Sequence, residues 1–418
     1  MPIYREILEQ AKAAKAASLV LANASAEQRN RLLLLLSKTL IDQQGKVVEA
    51  NREDLAQAKA AGRNSAYLDR LGFFEADIRK TADALSAVRE LPDPLNRLLS
   101  ENKRPNGLLV KQVAVPIGVI AIIYESRPDV TVEAAGLCLK SGNAVILKGG
   151  SDSLQTNTVL AQILRQSLEK ANFPAGSVSL VASREHAAVD YLLSLSGYIN
   201  LVIPRGGESL IRTVVEKSKI PVIKHYKGVC HTYVDKAADL NMAWSVTLNA
   251  KTQRPATCNA TETLLVHRDI APDFLPEMAR LFQEKGVEMR GCPDTRRIIP
   301  QARVAQESDW GNEFLDLTIA IKVVASPEEA IFWVNTYGTG HSEAIITGDN
   351  LIAEMFLKEV DAAAIYHNAS TRFTDGFEFG LGAEIGISTD KIHARGPMGL
   401  KELTSYKYLV YGDGQVRT

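Results

Sequence analysis

The chain has 418 residues, 46% of them hydrophobic and 23% charged, with a formal net charge of -1. That length exceeds what one hydrophobic core organises, so two or three domains are expected. The balanced charge, with Lys and Arg spread along the chain and no basic tail, excludes a nucleic-acid binder. Cys138, Cys230, Cys258 and Cys292 show neither a CxxC pair nor a framework spacing. They point to a reducing cytoplasmic home and to no metal site. Arg5, Glu6, Glu9 and Lys12 stand where a signal peptide would be apolar. The most apolar run, Leu32 to Leu36, is five residues long, against the ~20 of a membrane span. It reads as the buried stripe of a helix.

Residues 1 to about 100 are rich in Ala, Leu, Glu, Lys and Gln, and are expected to be helical until Pro92 and Pro94. Leu108 to Val115 alternates apolar and polar residues, as a strand or hairpin arm does. From Val119 short apolar runs alternate with helical stretches. Strands are expected at Val119–Ile123, Ala144–Leu147, Val178–Val181, Ile199–Ile203 and Pro221–Ile223. Helices are expected at Val130–Lys140, Leu154–Lys170, His186–Leu195 and Glu208–Lys217. In the second of these, Leu160, Ile163, Leu164 and Leu168 share a face. This grammar is that of an α/β fold with a doubly wound, Rossmann-like nucleotide-binding domain.

A second α/β set follows Asp235. Its expected helices are Leu240–Leu248, Ala271–Glu284, Pro327–Val334 and Asn350–Glu359. Its expected strands are Thr263–Val266, Thr318–Val324, Glu343–Thr347 and Ala362–Tyr366, and the tail returns to strand-like sequence at Tyr406–Tyr411.

Cys258 lies in the polar, helix-breaking run Asn249 to Glu262, just ahead of an apolar stretch. A thiol so placed is presented rather than packed. Lys251 and Arg254 favour its thiolate, and Asn259 is a candidate oxyanion donor. The bland alternative is a small buried hydrophobe. Two strand–loop–helix junctions, Val145 to Ser153 and Leu201 to Ser209, each place a glycine pair and a cation where an anion can meet a helix start. Glycine pairs also simply make tight turns. The usual G-x-G-x-x-G fingerprint is absent.

The cysteine loop, the strand ending in Lys148, the turn Arg205 to Gly207 and Gly311-Asn312-Glu313 together resemble the aldehyde dehydrogenase superfamily. Four stretches are closer to its γ-glutamyl phosphate reductase family. They are Ile123-Tyr-Glu-Ser-Arg-Pro128, Val202-Ile-Pro-Arg-Gly-Gly207, Gln253-Arg-Pro-Ala-Thr-Cys-Asn-Ala260 and His393-Ala-Arg-Gly-Pro-Met-Gly399. The match spans essentially the whole chain, and the last two motifs are highly specific. The resemblance implies NADPH-dependent reduction of γ-glutamyl phosphate to glutamate 5-semialdehyde, the second step of proline biosynthesis, through a thioester on Cys258.

Departures from the superfamily refine that expectation. Its water-activating glutamate aligns with His225, which favours phosphate over water as acyl acceptor; a structural histidine at a strand end is the alternative. Its ribose-binding carboxylate aligns with Ser151, and with Lys148 nearby this points to NADP, although Asp152 complicates the inference. Its oxyanion asparagine aligns with Ser126, so the oxyanion hole would combine the Cys258 backbone N–H with Ser126 or Asn259. Arg127 either grips the substrate or makes a surface salt bridge. Gly206 and Gly207 fall in the cofactor turn, and Glu313 matches the residue on the nicotinamide ribose. Arg395 lies in a family motif without a readable role.

The expected domains are an NADP-binding domain at 1–105 and 117–235, with part of 366–394, and a catalytic domain at 236–365. A small β oligomerisation flap is expected at 106–116 and 395–418. The partners implied are a small-molecule substrate, a second copy of the chain and an upstream glutamate 5-kinase. The competing readings are a non-phosphorylating or coenzyme A-dependent aldehyde dehydrogenase of the same fold, and a silent structural member of it.

Overall fold

The structure, a computed structural model, describes residues 2–417. The chain forms two compact units. The first comprises residues 1–224, 380–386 and 398–418; the second comprises 225–379 and 387–397.

The first unit opens on five helices, Pro2–Asn23, Ala26–Asp42, Gln44–Ala60, Ser65–Leu71 and Glu75–Glu90. The second shows why they form. Ser25 and Gln28 close a capping box at its start, and Leu32, Leu33, Leu36 and Leu40 are buried along one stripe. Each such leucine contributes roughly 1.5–3 kcal/mol of burial. Next comes a four-stranded parallel sheet in the order Val178–Leu180, Ala144–Lys148, Val119–Tyr124, Leu201–Arg205. Helices Pro128–Lys140, Leu154–Lys170 and Ala187–Leu193 separate the strands in sequence, and Glu208–Lys217 follows the last. Val119–Tyr124 is buried throughout, which is why its sequence is continuously apolar rather than alternating. Leu160, Ile163, Leu164 and Leu168 are all buried.

Pro221–Ile223 does not become a full strand; Val222 makes one isolated bridge to Val202. Leu98–Lys103, absent from the expectations, joins Leu109–Pro116 and Thr404–Tyr411 in a three-stranded antiparallel sheet. All six residues of Leu98–Lys103 are exposed, so no apolar alternation marks it.

The second unit is built on a seven-stranded parallel sheet. Its order is Arg303–Val304, Glu288–Gly291, Thr318–Val324, Thr261–His267, Cys230–Val234, Ser342–Ile346, Ala364–His367. Two apolar layers cover it. Phe274, Leu275, Met278 and Phe282 of Ala271–Glu284 pack in one, and Ile331, Val334 and Phe356 in the other. Cys230–Val234 pairs with Thr261–His267, so the division between units falls after Lys224, not at 235. Residues 366–379 likewise belong to this sheet's unit. Gly396–Pro397 pairs with Ile387–Ser388, leaving Thr404–Tyr411 as the part of the expected 395–418 segment that enters the antiparallel sheet.

Among the described residues, no helix is long and apolar enough to cross a membrane.

Candidate active site

Cys258 sits in the loop between the helix Leu240–Thr252 and the strand Thr261–His267. It is half-buried, whereas Cys138, Cys230 and Cys292 are buried. The strand after it explains the loop's position. Its first two residues, Thr261 and Glu262, are polar yet fully buried, and each has a partner. Thr261 Oγ1 lies 2.7 Å from Thr232 Oγ1, and Glu262 pairs with Lys251 at 2.5 Å. Thr371 Oγ1 donates to the Asn259 carbonyl at 2.7 Å. From the other side, the Cys230 thiol donates to the Cys258 carbonyl at 3.2 Å.

Two sequence expectations around the thiol change. Lys251 is fully buried and neutralised by Glu262, so it is not the cation that serves Cys258. Burial pulls Lys251 down and pushes Glu262 up to about 7, against their mutual attraction. The missed cation is Arg372, half-buried and in electrostatic reach of the Cys258 sulfur. Its Nε donates to Gln253 Oε1 at 2.9 Å. At 114 residues' separation no local pattern could reveal it. Arg254 is exposed.

Asn259 is the second correction. Its Nδ2 donates to the Arg372 carbonyl at 3.3 Å and the Thr374 carbonyl at 2.9 Å. An amide has two N–H donors, so none remains for an oxyanion.

His225 is brought beside the thiol. One atom from each of His225, Cys258 and His341 lies within 4.8 Å of the others. The His225 Nδ1–H donates to the Ile387 carbonyl at 2.6 Å, which fixes the tautomer. The two imidazoles meet edge-to-face, centroids 5.5 Å apart. His341, which the sequence reading missed, is completely buried, and burial pulls its pKa down to about 4. Glu313 accepts from the Gly228 N–H at 2.8 Å, and Lys227 donates to the Gly311 carbonyl at 2.8 Å. Arg395 pairs with Asp361 at 2.6 Å, on the wall of a cavity of about 510 Å³ also lined by Glu343 and Lys391.

In the first unit both glycine junctions hold one of the chain's own carboxylates. Glu125 Oε1 accepts from the Gly207 N–H at 2.8 Å, and a Cβ on Gly206 would lie 2.6 Å from Glu125 Cδ. Buried Asp54 accepts from the N–H groups of Gln155 and Thr156, at 3.2 and 2.8 Å. The helix start after Ser151 is therefore already capped. At the second junction the Gly207 N–H is thus taken from within. Gly149 and Gly150 are needed for packing, since a Cβ would lie 2.3 Å from Asn157 Nδ2 or 2.6 Å from Ser126 Oγ.

Ser151 is exposed at this edge. Lys148 is buried at the strand end and donates to the Gly149 carbonyl at 2.8 Å; burial lowers its pKa. Asp152 carries a salt bridge from Arg63 at 2.9 Å and a hydrogen bond from Tyr67 at 2.8 Å. Ser126 is buried and hydrogen-bonded to Tyr67 at 2.9 Å. Arg127 keeps an exposed side chain; the atoms packed around it and then the Arg205 cation lower its pKa.

The aldehyde dehydrogenase family pattern matches residues 4–302. The chain belongs to the aldehyde dehydrogenase family. It is 53% identical over 412 residues to the γ-glutamyl phosphate reductase of Carboxydothermus hydrogenoformans, covering 99% of both chains. It is 49% identical to that of Halothermothrix orenii, over 100% of both. The crystal structure of γ-glutamyl phosphate reductase from Thermotoga maritima matches with a TM-score of 0.97 and 46% identity, over 99% of this chain and 100% of that one. An acetylating aldehyde dehydrogenase from Geobacillus thermoglucosidasius shares the fold alone, at 15% identity and a TM-score of 0.72. This family is one of oxidoreductases working with a nicotinamide cofactor. The edge formed by Lys148, Ser151 and Arg63 fits such a group, because it offers an exposed hydroxyl and a half-exposed guanidinium whose partner Asp152 is already neutralised.

Proposed function

We propose that this chain is a cytoplasmic γ-glutamyl phosphate reductase. It reduces γ-L-glutamyl 5-phosphate to L-glutamate 5-semialdehyde with NADPH, in the second step of proline biosynthesis. The observation that carries the reading is the 53% identity over 99% of both chains to a relative of that name.

The roles follow from the residues. The Cys258 thiolate attacks the acyl carbon; the carbon–oxygen bond to phosphate breaks and a thioester remains on sulfur. Arg372 stabilises the thiolate, and the Cys258 backbone N–H is the oxyanion donor, Asn259 being committed elsewhere. NADPH, when bound, supplies the hydride. The resulting hemithioacetal collapses to aldehyde and free thiol. The family resemblance assigns Ser126 to the acyl oxygen and Arg127 to a charged end of the substrate, for which an exposed guanidinium is suited. Ser151, Lys148 and Arg63 select the 2′-phosphate of NADP, and Glu313 holds the nicotinamide ribose. The exposed Tyr406, Tyr408 and Val410 of the antiparallel sheet are the surface we assign to self-association. We assign the supply of the unstable acyl phosphate to a glutamate 5-kinase.

A second reading, a non-phosphorylating aldehyde dehydrogenase, draws on the imidazole of His225 beside the thiol, which offers a base near the thioester. One assay separates them. With glutamate semialdehyde and NADP, reduction of the cofactor should require phosphate or arsenate, and turnover without either would overturn the proposal. Forward assays comparing NADPH with NADH test the cofactor assignment.

A further inference from the structure

The second unit holds a constellation that hydride transfer does not need. Cys258 Sγ, His225 and His341 offer one thiolate and two imidazole nitrogens, all within 4.8 Å of one another. The three residues come from separate segments: residue 225 precedes the strand Cys230–Val234, residue 258 precedes Thr261–His267, and residue 341 precedes Ser342–Ile346. These are three adjacent strands of one sheet.

Both rings are oriented as metal-binding histidines usually are, with the remote nitrogen fixed by a second partner. His225 uses Nδ1 on the Ile387 carbonyl at 2.6 Å, which leaves Nε2 as its metal-binding atom. His341 uses Nδ1 on Ser342 Oγ at 2.9 Å, and Ser342 Oγ is itself held 2.6 Å from Thr374 Oγ1. His341 Nε2 is buried and has no hydrogen-bond partner among the described residues. A buried ring nitrogen without a partner costs about 1–3 kcal/mol, and the ring that carries it belongs to the cluster with a thiol and a second imidazole.

We propose that Cys258, His225 and His341 form a binding site for a borderline-soft divalent cation, Zn²⁺ foremost, which reversibly caps the nucleophile. One sulfur and two imidazole nitrogens are a zinc donor set, with the fourth position left to water. Donors around tetrahedral zinc stand about 3.5 Å apart, given Zn–S and Zn–N bonds of about 2.3 and 2.0–2.1 Å. The donor atoms here lie within 4.8 Å of one another, so binding draws them together by about 1 Å at most. On binding, the thiol releases one proton to solvent, and the hydrated ion sheds all of its waters but one as sulfur and two nitrogens take their place. No electron moves, and a chelator reverses the step. The capped sulfur cannot attack an acyl phosphate. Mg²⁺, which prefers oxygen donors, is not a ligand for this set.

The test is binding of Co²⁺ to the full-length chain, read as the thiolate-to-cobalt charge-transfer absorption in the near ultraviolet, with Zn²⁺ as competitor. The readout needs neither substrate nor cofactor, so it stands apart from the assignment of the reaction. We expect one equivalent of Co²⁺ to raise the band, Zn²⁺ to displace it, and Mg²⁺ to leave it unchanged. Cys258→Ala should abolish it, and Cys230→Ser should retain it. His225→Ala and His341→Ala should each weaken Co²⁺ binding at least tenfold. His225 is half-buried, so its variant keeps the test open if His341→Ala fails to fold. Zn²⁺ should also slow alkylation of Cys258, with EDTA restoring the rate. A band that survives in Cys258→Ala, or that neither histidine variant weakens, would overturn the proposal.

Discussion

A Cβ placed on Gly228 would lie 1.8 Å from the carbonyl oxygen of Cys258 and 2.8 Å from its Cα. No side chain fits there, so the backbone of the nucleophile loop rests directly on this glycine. Gly228→Ala must push the loop away. A displacement of about 1 Å at a reacting group costs on the order of 100-fold in rate. We expect Gly228→Ala to lose at least that much kcat while leaving NADPH binding near its original strength, measured by steady-state kinetics beside a fluorescence titration.

Cys258→Ala should abolish reduction and also leave NADPH binding largely intact. Residual turnover above 1% of the original would refute the covalent route. Mild alkylation followed by mass spectrometry should label Cys258 ahead of Cys138 and Cys292. Both of those are buried, and burial pushes the Cys138 thiol far above its ordinary value.

The buried Lys251–Glu262 pair supports the same loop from below. Removing one member leaves an uncompensated buried charge, which costs about 3–5 kcal/mol. Lys251→Met should therefore lower the urea midpoint markedly. The double variant Lys251→Met, Glu262→Leu should recover much of that loss, since two apolar side chains leave no charge unpaired. If the double variant is as unstable as the single one, the pair is not the source of the effect.

Much of this arrangement was legible in the sequence, and the omissions have physical causes. Ala271–Glu284, Thr318–Val324 and Leu154–Lys170 were readable to the residue, because an apolar period or run bounded by breakers is a local signal. Cys258 was readable because a polar loop with Pro255 leads into a buried strand. Arg372, His341 and Gly228 were not, because each reaches the site through the sheet and none carries a local mark. The glycine pairs looked like anion cradles. Only the fold reveals that Glu125 takes the Gly207 N–H and that Asp54 caps the helix after the other pair. Leu98–Lys103 escaped because an exposed strand has no buried face to write a pattern.

Arg63 stands beside Ser151 with its guanidinium on Asp152 and over the Tyr67 ring, 5.0 Å from the centroid. Arg63→Ala would expose the Asp152 carboxylate and remove a cation suited to a 2′-phosphate. Its KM for NADPH should rise about tenfold, corresponding to about 1.4 kcal/mol, while KM for NADH changes little. Equal effects on both cofactors would assign Arg63 to structure alone.

Glu133, in the helix Pro128–Lys140, gives a pH-dependent prediction. Burial, and next the Asp129 carboxylate, push its pKa up to about 7 from the usual 4.5. Because the folded state holds this proton more tightly than the unfolded chain, the folded state loses stability as pH rises from about 4.5 to about 7, and the cost is complete above that. Glutamine keeps the shape without the charge. Glu133→Gln should thus match the natural chain below pH 4.5 and exceed it at pH 8 by about 1–3 kcal/mol, an upper range for a shift of this size. Urea unfolding at pH 4.5, 6 and 8 measures it. A stability difference that stays constant across those three values would show that Glu133 is ionised throughout and that its neighbours, Arg205 and Lys80, hold it charged.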